Sequence, residues 1–209
     1  MDHLLITDAI RFCHLGAVAL GLGTSILADG MVATRLLHSV SDAMVDRLHR
    51  LHMLVVAALV LLWATGLALV ALKTGLDPDR MTPKLWSKLA VVTLLTANGW
   101  VLGRIALPRL ARSVGRRPVD LPLGHSLIVA VACGVSAGSW LLALAMGVSQ
   151  TLAAADWSVF AVVVPAIYGL TVAGALTLTL SMRIGVQLTR PPALDRWTRP
   201  DPLTPRAAR

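Results

Sequence analysis

The sequence predicts an all-α integral membrane bundle of five transmembrane helices, organised as a four-helix core plus one. Composition is the first observation behind this. Of 209 residues, 56% are hydrophobic and only 14% charged, whereas an ordinary soluble domain carries about 25% charged residues. With a mean hydropathy of +0.73, the chain lacks the polar material to cover a water-soluble globule. Spacing is the second: the apolar residues gather into five runs, each near the roughly 20 residues that a helix needs to cross bilayer hydrocarbon. The third is where the charge falls. The formal charge of +8 sits on Arg and Lys between and after the apolar runs, the places that set membrane orientation. It therefore names the lipid bilayer as partner and gives no case for nucleic acid.

The first span covers residues 9–31, with helix continuing to Leu37 past the membrane edge. The preceding segment carries Asp2 and Asp8 rather than a basic region, so the run reads as a retained span and not a cleaved signal. A polar connection, residues 38–50, leads to the second span at 51–72, rich in Leu, Val and Ala. A loop with Gly75, Pro78 and Pro83 precedes the third span at 85–107, which Pro108 is expected to end. The linker 109–122 carries Arg109, Arg112, Arg116 and Arg117 against a single acid, Asp120. The fourth span is 123–148 and the fifth 157–182, kinked at Pro165. Residues 183–209 turn to Pro and Arg and are expected to form a disordered cytoplasmic tail.

Orientation follows from counting bases in the short loops. With the arginine linker and the tail in the cytoplasm, parity places Arg47 and Arg50 inside as well, and the N-terminus outside a bacterial inner membrane. The loop with Lys73, Arg80 and Lys84 then lies outside, against the rule.

Chemistry in such a chain falls to polar side chains within or at the rims of the spans, because these are costly in hydrocarbon and turn toward protein. On the first span His14, Gly21, Ser25 and Asp29, at about 100° per residue, fall within about 80° of one another and should face the bundle. Topology groups Arg11, Cys13, His14, Lys88 and Met146 near one rim, and Asp29, His52, Asn98 and His125 near the other. An imidazole at His14 can ligate a haem iron, with Lys88 and Arg11 pairing with the anionic groups of a b-type haem or related tetrapyrrole. The plainer alternative has Lys88 snorkelling to headgroups and His14 bonded to a neighbouring helix. His52 and His125 enter from the same side and form a second candidate ligand pair, against the alternative of interfacial residues in contact with water. Copper is another reading, through Cys13, His14, Met81 and Met146 as soft donors on one rim. Cys13 and Cys133 have no CxxC spacing, so neither a disulfide nor a zinc site is expected. The pairs Gly99 with Gly103 and Gly134 with Gly138 permit close helix packing, within the chain, against a larger membrane complex or between copies.

The run Cys13, His14, Leu15, Gly16, the pair Thr65 and Gly66, and Lys88 at the head of the third span resemble the copper-resistance D membrane domain and the bacterial J-type protoporphyrinogen oxidases over residues 10–147. Asp29, Asn98 with Gly99, and Ser136 to Trp140 are similar to a pattern in uncharacterised bacterial membrane proteins. The oxidase resemblance implies a helical scaffold with a haem or porphyrin site in which His14 and Lys88 take part. Where the oxidases carry Trp-x-x-Gly-Leu and Pro-Arg patterns, this chain has Gly21 to Ser25 and Ala33 to Arg35. The resemblance therefore implies the scaffold rather than porphyrinogen oxidation.

Overall fold

The computed structural model describes residues 2–189, most of them in helices joined by short turns, with no strand among them. Five helices are long and apolar enough to cross a membrane. They are α1 (Asp2–Thr34), α2 (Asp42–Thr74), α3 (Pro83–Ala111), α4 (Leu123–Val148) and α5 (Trp157–Thr189). The chain is a multi-pass membrane protein.

The helices outrun the apolar stretches that announce them. α1, α2 and α5 each have 33 residues, about 50 Å at 1.5 Å per residue, against about 30 Å of hydrocarbon. Hydropathy detects only the oily part of a helix, and capping settles where it stops. α2 begins nine residues before its apolar run because Ser41 is an extended N-cap whose hydroxyl accepts from Met44 N–H, with Asp42 in the first turn. It ends where Gly75 takes φ +65° and returns its N–H to Ala71 O at 2.9 Å. The expected polar connection 38–50 is therefore mostly helix. α5 runs through Pro165 and past Arg183 to Thr189, so the expected tail starts later than predicted. Its remainder, 190–209, lies outside the described residues.

Pro108 does not end α3, contrary to expectation. It lacks an N–H and its ring crowds the preceding turn, and the helix absorbs this by widening. Over Leu102–Ala106 the turn becomes a π-turn, with Leu107 N–H bonded to Leu102 O, before α-helix resumes through Ala111.

Helices α1 to α4 close a ring in which each packs on its neighbours, and α5 lies outside against α4 and α3. A layer at mid-depth, Ala17, Leu59, Leu62, Leu95 and Trp140, takes at least one residue from each core helix. Trp140 is fully buried, its ring seated on Gly21, where an added Cβ would collide with the indole. Gly134 does the same for α5: a Cβ there would come within 2.6 Å of the Val172 backbone. The linkers at one end also pair with each other. Val40 N–H bonds to Arg116 O at 2.9 Å and Gly115 N–H to Val40 O at 2.8 Å, burying Leu36, Val40, Val119 and Leu121.

Candidate functional site

The Trp140 layer divides the polar interior into two parts. One lies toward the amino end, where α1 begins; the other lies toward the arginine end, which carries Arg109 to Arg117.

At the amino end, His14 is half-buried and its Nδ1 lies 2.9 Å from Thr65 Oγ1 on α2. Thr65 has one hydroxyl proton, committed to Leu61 O at 2.6 Å. With that proton on Leu61 O, His14 donates Nδ1–H to the Thr65 oxygen, and in the neutral ring Nε2 then carries a free lone pair. This is how metal-binding histidines are held: a partner on one ring nitrogen fixes the tautomer and aims the other. Gly66 completes the seat, since a Cβ there would stand 3.3 Å from His14 Cε1. Lys88, half-buried on α3, lies within electrostatic range of the imidazole and of Lys84 and Lys73. It makes no hydrogen bond or ion pair with any described residue. Lys84 donates to Ser149 O at 2.8 Å, so Lys88 is the interior cation of this end that is left to meet an anion.

Other residues expected here lie elsewhere. Arg11 pairs with Asp8 one turn earlier at 3.2 Å, both side chains being well exposed, because an arginine so near a helix end reaches water. Cys13 is exposed on the outer face of α1. Met146 is buried, sealed among Val91, Leu142 and Phe160 between α3, α4 and α5. Of the soft donors of the copper reading, Cys13 thus faces outward and Met146 is sealed in packing away from His14. Among the described residues no three His, Cys, Asp or Glu side chains are placed to hold a metal ion.

At the arginine end, Ser25 is buried and Asp29 half-buried, its carboxyl against the Cys133 thiol of α4. Two cavities, of about 210 Å³ and about 90 Å³, meet at Asp29 and Cys133. The larger lies over α4 between α1 and α5 and has His125 in its wall. The smaller lies between α1, α2 and α3 and has His52, Ser25 and Asn98 in its wall. The two histidines do not form the same-depth pair expected: His52 lies ten residues into α2 and packs at Gly103, whereas His125 lies in the first turn of α4, and they line different cavities with Asp29 and Cys133 in the wall of both. His52 sits against the π-turn of α3, where a Cβ on Gly103 would come within 2.6 Å of its Nε2. His125 Nε2 is buried with no hydrogen-bond partner. Asn98 is a helix tie, its Nδ2 donating to Ala132 O at 2.9 Å.

Sequence reasoning passed over several residues. Thr65 entered only through the resemblance, yet it sets the His14 tautomer. Cys133 was weighed only for disulfide and zinc, though small-residue spacing on α4 points it inward with Gly134 and Ala137. Arg183, assigned to the tail, bonds Leu121 O at 2.6 Å and Ser126 Oγ at 3.0 Å, tying α5 to the linker.

Fold and interior define a polytopic membrane bundle with two polar compartments. No protein-family model, no curated protein and no solved structure matches the chain.

Proposed function

We propose that the protein binds a b-type haem or related tetrapyrrole at the amino end, for electron transfer or haem handling, in a bacterial inner membrane with that end outward. The observation that carries this reading is the 2.9 Å contact of His14 Nδ1 with Thr65 Oγ1, which, with Nδ1–H donating from the neutral ring, leaves the Nε2 lone pair for a metal. The residues suit such a group: an imidazole nitrogen is the common axial ligand of b-type haem, Gly66 lets the imidazole seat against α2, and Lys88 offers a half-buried charge for a propionate. A bound haem would supply one-electron chemistry. The chain's own contribution is to fix the His14 ring, to exclude water with the Trp140 layer beneath it, and to attract the acidic edge through Lys88 with Lys73 and Lys84 nearby. Arg109, Arg112, Arg116 and Arg117 at the opposite end support the orientation.

Protein purified from haem-replete cells and reduced with dithionite should show b-type absorption bands that weaken strongly in His14→Ala. A colourless preparation, or bands untouched by that substitution, contradicts the assignment. A second reading, an ion-handling transporter, is favoured by Asp29 where the two cavities meet; substrate flux in vesicles, lost in Asp29→Asn, would support it.

A further inference from the structure

We propose that the larger cavity at the arginine end is a binding site for a monovalent organic cation, a protonated amine carrying an apolar body of about one ring. The inference starts from the walls. Val32, Leu36, Val129, Ala130 and Ala175 are apolar, no Lys or Arg lines the cavity, and Asp29 is its sole acid. Asp29 makes no ion pair with any described residue; its polar neighbour is the weakly donating Cys133 thiol. A carboxylate in a membrane-spanning helix is costly unless a counter-charge meets it, and no described residue supplies one. An ammonium on Asp29 provides that charge, while an apolar body fills the rest.

Size sets the class. A cavity of about 150 Å³ lined by apolar side chains holds benzene, so about 210 Å³ accommodates one ring with a short aminoalkyl arm. His125 offers a second contact, since its unpartnered Nε2 accepts from a donor when unprotonated. Arg109 and Arg112 act on His125, which keeps the cationic head at Asp29 and leaves His125 for a neutral donor. An inorganic cation fits less well, because hard ions demand several oxygen ligands, mostly carboxylates and carbonyls, and this wall sets one carboxylate and the hydroxyls of Ser126, Thr171 and Thr179 among apolar side chains. The site lies across the Trp140 layer from His14 and does not depend on the tetrapyrrole reading.

The test uses the full chain in lipid nanodiscs, with benzylamine as probe and benzyl alcohol as its uncharged isostere, followed by calorimetry and ligand-observed NMR. Asp29→Asn should weaken benzylamine about 10- to 100-fold, the range of a hydrogen bond to a charged group, and leave benzyl alcohol unchanged. Ala175→Leu, which fills the cavity from α5, should weaken both probes, and His14→Ala should alter neither. Equal binding of the two probes by the wild type overturns the proposal, as does benzylamine affinity untouched by Asp29→Asn or by Ala175→Leu. Spectra of each variant compared with wild type establish that the fold is retained.

Discussion

The two ends of the bundle treat their buried charge differently. At the amino end the imidazole of His14 is held by Thr65, one nitrogen used and the other aimed, and the nearby cation Lys88 meets no counter-charge among the described residues. At the arginine end the acid Asp29 borders open space, with only a thiol beside it. The first arrangement is preorganised and narrow. The second leaves volume for a ligand to bring its own charge. Trp140, filling the section between α1, α2, α3 and α4, keeps them separate, so one small protein can present two chemistries without joining them.

Removing that divider should have the largest effect. Trp140→Ala empties a fully buried site and should cost about 3–5 kcal/mol, read as a lower unfolding midpoint in detergent, while water reaches both compartments. Thr65→Val sharpens the comparison from the amino side: it keeps the shape but removes the acceptor of His14, and should weaken the tetrapyrrole about 10- to 100-fold, the usual consequence of losing a partner that orients a ligand. Thr65→Ser should restore most of it. Asn98→Ala tests a tie on the arginine side. Losing its bond to Ala132 O should cost about 1 kcal/mol, in the range of interhelical hydrogen bonds in membranes. Arg11→Ala should change stability by no more than about 0.5 kcal/mol, since its pair with Asp8 is exposed, and should leave any absorption spectrum intact.

Much of the fold was legible because bilayer thickness imposes its length on the sequence. The second span, an uninterrupted Leu, Val and Ala run, could be nothing else. Helix ends were less readable, because α2 starts at a serine cap in polar sequence and α3 passes Pro108 by widening a turn, which carries Gly103 up against His52. Periodicity on α1 placed His14, Gly21, Ser25 and Asp29 on one face, and the structure turns Gly21 and Ser25 fully inward. Which partner each would meet was not readable from one helix. His14 finds Thr65 across 51 residues, Asp29 finds Cys133, and His52 and His125 face different cavities, His125 a turn or more nearer the arginine end. Depth follows from counting along a helix; lateral position requires knowing how the helices rotate against each other.

The most direct test is a scan of the histidines in the dithionite-reduced, purified protein. The account predicts that His14→Ala removes or strongly reduces the b-type bands, while His52→Ala and His125→Ala leave them at wild-type intensity. Bands that survive loss of His14 and vanish with His52 or His125 would move the tetrapyrrole to the arginine end and contradict it.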